Sequence, residues 1–389
     1  MRRLAAIVLA VGALSAAPQR VPLPKVDDSL ARELRGYLSA NYATPEEYIV
    51  GKFRDHDVVF VGEWHRIKHD VELIQTLIPL LYRNGVYTLC MEMARREDQA
   101  LVDRLLTSKS YDEALAREIT FRGFYAWGYQ EYVDIYRAAW HLNRSLPAGA
   151  RPFRVLALGD SPDWSVLKRP EDRDNPEIMT KVWRGGGEDA WAKVILDEVV
   201  AKGEKTLVYS GIHHAFTEYQ QPTVDEKAHR FIRFEKQRMG NFVFRTIGKR
   251  AITIFLHSPW PPVQGYSGPF VYPVDGVIDA VLRTVDSARR RVGFDTHGTP
   301  FGSLPAATAV YGYGYDHLTL AQFCDGYVYQ KAFSEYAGVT PIRDFINVGN
   351  LERAQQQSPN PDLRNATAEQ LNRYIAADAD IPRRLAHLQ

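Results

Sequence analysis

Short, nearly continuous apolar runs recur along the chain with longer amphipathic stretches between them. The clearest runs are Val58–Gly62, Tyr87–Met93, Arg154–Leu158, Thr206–Ser210 and Ile252–Leu256. Each is rich in β-branched or aromatic residues and apolar at odd and even positions alike, as strands covered on both faces are. Between the first two runs, Val71, Ile74, Leu77, Ile78 and Leu81 repeat at three- and four-residue intervals, which predicts a helix over His69–Tyr82 ended by Asn84-Gly85. Residues 97–117 and 126–142 carry further helical patterns. Strand, helix and strand in alternation predict an α/β fold with a mostly parallel central sheet flanked by helices.

Two stretches depart from this rhythm. Residues 161–204 are rich in Trp, Asp, Pro and Gly, including Gly185-Gly186-Gly187, and read as a helical insertion placed where a lid could close over the sheet rim. From 336 the strand pattern fades, and Thr367-Ala368-Glu369-Gln370 has the form of a capping box opening a last helix, so 336–389 reads as a C-terminal helical tail. The expected organisation is a segment 1–17, an N-terminal extension 18–45, an α/β domain 46–335 and this tail.

Residues 1–17 begin with Arg2-Arg3, continue apolar from Leu4 to Leu14 and end Ser15-Ala16-Ala17. That is the order of a secretory signal, and the run is too short to span a bilayer as a helix. The expectation is an exported protein, periplasmic or extracellular, with no integral membrane segment after cleavage. Loss of Arg2 and Arg3 turns a net charge of +1 into −1, which argues against a nucleic-acid partner. The two cysteines, Cys90 and Cys324, sit in apolar runs and are expected as buried thiols rather than a bridge.

Polar residues collect where the strands end. The first run leads into Gly62-Glu63-Trp64-His65, the second contains Glu92, the third runs into Asp160, the fourth into Gly211-Ile212-His213-His214, and the fifth ends at His257. Ligands of open parallel sheets bind outside the carboxyl ends of the strands, at a switch point. Glu63 and His65 are two apart and share a face of extended chain, where the carboxylate can fix the imidazole tautomer; Glu63 could equally cap the next helix. The spacing G-x-x-H is the same in the two histidine motifs at the strand ends, Gly62 to His65 and Gly211 to His214, which selects His214 over His213. Glu92 lies in an apolar run and must have a partner: a site group, or Arg95 or Arg96 in a structural ion pair.

Other chemistries find no support. His65 and His69 form H-x-x-x-H, but Arg66 stands where a zincin carries glutamate, and His69 reads as a surface residue near a helix start. No G-x-S-x-G elbow, phosphate-binding loop or dinucleotide fingerprint follows a strand. Phe294–Gly298 could add ligands or be a turn, Tyr311–Tyr315 is a glycine-rich loop, and Tyr327, Tyr329 and Lys331 alternate as a late strand at an edge.

At these residues the chain resembles the ChaN-like haem-binding/Tiki group, within the clan that includes the erythromycin esterases. The matching pieces are Val61–His65, Met91-Glu92-Met93 with Arg96 and Gln99, Trp127 and Tyr132, the strand Val155–Gly159, and Gly211–His214. They span about 57–216, with a weaker continuation to about 335. Ala94 stands where the ChaN pattern has an aromatic, and no lipoprotein cysteine is present. The resemblance implies site residues Glu63, His65, Glu92 and His214, and three chemistries: metal-dependent proteolysis, metal-free hydrolysis by histidine and glutamate, or haem binding.

Two expectations follow. The first is a hydrolase of an ester or peptide bond in a small-molecule or peptide substrate. In its metal form His65, Glu92 and His214 hold a divalent ion and Glu63 takes the proton from bound water; without metal, His65 is the general base and His214 polarises the carbonyl. The alternative is a haem- or iron-binding protein without turnover, its slot formed by the aromatic-rich stretches 121–140 and 311–329.

Overall fold

The computed structural model describes residues 20–388, apart from 185, 264, 266, 267, 307 and 308. The expected signal at 1–17 lies outside the described residues. The five expected strands are present as β1 (Val58–Glu63), β2 (Thr88–Arg95), β3 (Arg154–Gly159), β4 (Thr206–Gly211) and, after a separate antiparallel hairpin of β5 (Gln221–Asp225) and β6 (Arg230–Glu235), β7 (Ala251–Leu256). Two further strands, β8 (Val292–Asp295) and β9 (Gly326–Tyr329), complete a seven-stranded sheet of order β3-β2-β4-β1-β7-β9-β8. Every pairing in it is parallel except β8 with β9. The late strand around Tyr327 is therefore interior rather than an edge; β8 takes the edge.

The helices preceding β7 are α1 (Asp28–Ala40), α2 (Pro45–Lys52), α3 (Lys68–Arg83), α4 (Gln99–Thr107), α5 (Glu113–Gly123), α6 (Gln130–Ser145), α7 (Pro176–Trp183), α8 (Glu188–Glu198), α9 (Ile212–Ala215) and α10 (Met239–Ile247). The helical pattern at 97–117 is two helices, because Asp112 accepts the Leu115 N–H and restarts the backbone there. Alternate residues of each strand enter different cores. Val59 and Val61 pack with α3 and α6, whereas Val58 and Phe60 pack with α8 and α10. This double burial is why the strands read as unbroken apolar runs.

The described residues of 161–204 form α7, α8 and short 3-10 turns without a strand. In the segment after 336, the capping box at Thr367 opens a helix over Ala368–Asp378, as the sequence predicts. Ile342, Phe345, Leu371 and Ile375 of this segment are buried in the same core as β1 and α6. Cys90 and Cys324 are both free and buried. No described helix is long and apolar enough to cross a membrane.

Candidate functional site

The sheet order reverses around β1: the chain leaves it for β2 on one side and reaches β7 on the other, with β4 and β1 adjacent. The carboxyl ends of β1 and β4 thus form the crevice where open α/β sheets bind ligands. Their register sets Glu63 opposite Gly211 and Gly62 opposite Ser210.

Strand alternation carries Glu63 to the same face as Val59 and Val61, where its carboxylate is 1% exposed. An isolated carboxylate there would cost several kcal/mol, and three donors meet it. His65 Nδ1 lies 2.6 Å from Oε1, the Tyr132 hydroxyl of α6 donates to Oε1 at 2.8 Å, and the Tyr209 hydroxyl of β4 donates to Oε2. Burial, reinforced by the negative Glu63, pushes both tyrosines well above their ordinary range, so they stay protonated as donors. With its Nδ1–H held by Glu63, His65 keeps the lone pair of Nε2 for the rim. Trp127 meets the His65 ring edge-on, with centroids 4.9 Å apart. Arg66, next in the chain, has a positive φ of 75°; this backbone, unfavourable for a side chain with a Cβ, is held by its N–H on the Tyr132 hydroxyl at 3.1 Å, by Tyr129 at 3.0 Å and by Asp378 at 2.8 Å.

The two glycines of the repeated motif have reciprocal reasons. A Cβ on Gly62 would lie 2.4 Å from Ile212 Cδ1 and 2.9 Å from its Cα; one on Gly211 would lie 2.9 Å from His65 Nε2 and 3.6 Å from Glu92 Oε2. Each motif's glycine makes room for the other motif, which brings His65 and Glu92 together beside Gly211.

Glu92 sits where the β2–β3 register shifts, between Met91 and Arg95, and such irregularities re-aim side chains at strand ends. Its Oε2 accepts the Gly211 N–H at 2.7 Å and its Oε1 lies 3.5 Å from His214 Nε2. Neither nearby arginine pairs with it: Arg95 is held by Asp98 and Glu97, Arg96 by Glu198. His214 Nδ1 is held by Glu188 Oε1 at 2.8 Å, and Arg238 meets the same oxygen at 2.9 Å. Burial works against the charged form of His214, but Glu92 and Glu188 outweigh it and raise its pKa above the ordinary value. Glu188 is shifted in the opposite sense: burial opposes, but His214 and Arg238 pull it below the usual carboxylate range.

All four predicted residues therefore lie around one strand-end crevice. His213 turns away, its Nε2 3.0 Å from the Tyr311 hydroxyl, and burial drives its pKa well down. His69 is buried at 6% exposure rather than at the surface, and burial lowers its pKa to about 3. His257 belongs to a separate buried pair with Asp279, at 3.0 Å. Tyr209, Glu188 and Arg238 were not singled out by sequence. A tyrosine inside an apolar strand is itself a signal, since its hydroxyl needs a partner; Glu188 gave none.

The expected divalent-metal centre at His65, Glu92 and His214 is not formed. Among the described residues no three His, Cys, Asp or Glu side chains are grouped to hold a metal ion. Glu92 accepts the Gly211 N–H and lies beside His214, and both oxygens of Glu63 are engaged by His65, Tyr132 and Tyr209.

Glu92 and His214 open on a cleft of about 250 Å³ whose lining includes Phe124 and Trp127, with Trp164, Trp183 and Trp191 from the segment 161–204. That segment forms one wall of the rim.

Residues 49–215 match the family model described as haem-binding uptake, Tiki superfamily, ChaN. No protein of curated function matches the chain. Among solved structures, a Bacillus cereus protein is similar at 10% identity, with 82% of this chain and 100% of that chain covered and a TM-score of 0.44. ChaN of Campylobacter jejuni, solved with cofacial haem binding, is similar at 11% identity, with 55% and 87% covered and a TM-score of 0.34. A MARTX toxin effector domain from Vibrio vulnificus is similar at 16% identity, with 59% and 40% covered and a TM-score of 0.35.

Proposed function

We propose, from the match of residues 49–215 to the family described as haem-binding uptake, Tiki superfamily, ChaN, that this chain is a hydrolase that activates water with His65. The reading also takes residues 1–17 as an export signal. The observation that carries it is the His65 Nδ1–Glu63 hydrogen bond of 2.6 Å inside a buried carboxylate otherwise met by two tyrosines. Such an arrangement fixes one imidazole tautomer and leaves Nε2 as a base.

In the proposed reaction His65 Nε2 takes a proton from water as the water oxygen bonds to an ester or amide carbonyl carbon. Negative charge collects on the carbonyl oxygen, where the His214 imidazolium, favoured by Glu92 and Glu188, stabilises it. The bond to the leaving oxygen or nitrogen then breaks, and the proton on His65 passes to that atom, giving an acid and an alcohol or amine. A general base of this kind contributes about a hundred- to ten-thousandfold in rate. The test is an ester and peptide panel with wild type and His65→Ala. Loss of turnover by that factor with an unchanged circular dichroism spectrum supports the reading; full activity in the variant overturns it.

The family match favours a second reading, haem binding without turnover. The residues fit haem in kind: an aromatic wall and an imidazole whose Nδ1 a carboxylate holds, as ligating histidines have. They do not fit in space, since His214 Nε2 faces Glu92 and the cleft of about 250 Å³ falls below the usual range for small-molecule pockets, about 300–1,000 Å³. Titration with haem decides: a Soret shift at micromolar haem that His214→Ala removes would establish this reading, and no shift would remove it.

A further inference from the structure

Resting on the hydrolase reading, we propose that the tryptophan-lined cleft takes a flat, uncharged apolar group, such as an aryl ring, on the substrate, and so decides which ester or amide is cleaved. The tryptophans that form the cleft also touch the two imidazoles. Trp127 meets His65 with ring centroids 4.9 Å apart, and Trp191 lies 4.9 Å from His214. A group seated in the cleft lies against Trp127, whose ring abuts His65, and against Trp191, whose ring abuts His214.

The far wall comes from the 161–204 segment, where Trp164 and Trp183 pack edge-to-face at 5.4 Å. Trp183 remains 37% exposed. An aromatic pair partly open to water at the mouth of a reactive crevice has apolar surface to gain by covering a ring, and offset or edge contacts add specificity for flat groups.

The charges lining the cleft are already engaged. Arg95 is bound to Asp98 at 2.7 Å and Glu97 at 2.8 Å, and Asp160 accepts the Gly187 N–H. The other two charged lining groups have protein partners as well, Glu92 on the Gly211 N–H and His214 on Glu188. The cleft of about 250 Å³ suits one small ring system better than a drug-sized ligand. Burying a ring there removes far more apolar area from water than burying an ethyl group, which fills little of the cleft.

The experiment compares 2-naphthyl acetate with ethyl acetate as substrates and follows quenching of tryptophan fluorescence by 2-naphthol. Wild type, Trp183→Ala and Trp183→Phe are measured, with circular dichroism confirming each fold. The expected result is saturable quenching and a preference for the naphthyl ester in kcat/KM, reduced about tenfold or more in Trp183→Ala and largely retained in Trp183→Phe. Saturable quenching weakened by Trp183→Ala, without cleavage of either ester, supports the pocket and overturns the hydrolase reading. Cleavage without a naphthyl preference, or with a preference that Trp183→Ala leaves intact, overturns the pocket and keeps the hydrolase. Absence of both quenching and cleavage overturns both.

Discussion

Tyr209→Phe tests the buried network under His65 without any knowledge of the substrate. The substitution removes one hydroxyl from a strand residue that is fully buried and changes no other atom. In the structure that hydroxyl is the donor to Glu63 Oε2, while His65 and Tyr132 both serve Oε1. The variant therefore leaves one oxygen of a 1% exposed carboxylate without its partner. Hydrogen bonds to charged groups contribute about 1.5–3 kcal/mol, and a buried acceptor left unmade forfeits that contribution. At about 1.4 kcal/mol per factor of ten, the folding equilibrium should shift by about tenfold to about 150-fold. Urea unfolding followed by circular dichroism measures it: the midpoint falls while the slope m stays constant. A double-mutant cycle with Glu63→Gln isolates the pair, with an expected coupling of about 1 kcal/mol or more. A change below about 0.5 kcal/mol, the size of an ordinary surface substitution, or a coupling near zero, would refute the argument that Glu63 is a charged anchor held by these donors.

Further outcomes follow from the same geometry. Gly211→Ala suits the local backbone, with φ −54° and ψ 142°, but its Cβ would stand 2.9 Å from His65 Nε2. Ordinary carbon contacts need about 3.5 Å or more, so the ring must shift by about half an ångström. Turnover should fall about tenfold or more, given that a misplacement of about 1 Å can cost a hundredfold, with little loss of melting temperature; unchanged kinetics would contradict the packing. His214 has a folded pKa above its ordinary 6.5 because Glu92 and Glu188 outweigh burial. The stability it contributes is fully present below about pH 6.5 and is lost as pH rises through the folded pKa. The destabilisation caused by His214→Ala should accordingly be larger at pH 6 than at pH 9, and the opposite trend would reverse the assignment. For Glu188 the sign is reversed: its contribution is present above its ordinary 4.5 and lost as acid drives the pH through its lowered value. Glu188→Gln should cost more stability at pH 7 than at pH 3.5 in the same urea titration.

Two levels of this protein were legible to different degrees. The five strands and the helix over α3 could be read from local pattern, because a strand buried on both faces leaves an unbroken apolar run and a helix leaves a stripe. The pairing of Glu63 with His65 was equally local, a two-residue spacing at a strand end. The repeated G-x-x-H was visible as a pattern, but its reason was not: only the β1–β4 register sets Gly211 against His65 and Gly62 against Ile212. Partners distant in the chain were beyond local reading. Tyr209 meets Glu63 across 146 residues of sequence, and Glu188 reaches His214 from a segment that composition marked as a helical insertion without pointing to any one residue of it. The same holds for β8, which takes the sheet edge beyond β9, and for the helices after 336, whose apolar residues close the core over α6. Sequence by itself determined which residues are apolar, where the chain turns and which acids and imidazoles stand at strand ends. Tertiary structure decided which oxygen each donor meets, that both oxygens of Glu63 are engaged by His65, Tyr132 and Tyr209, and that the carboxylate of Glu92 lies between the Gly211 N–H and His214. Those outcomes depend on register and strand order, which are set by how separate elements bury their faces against one another and not by neighbours along the chain.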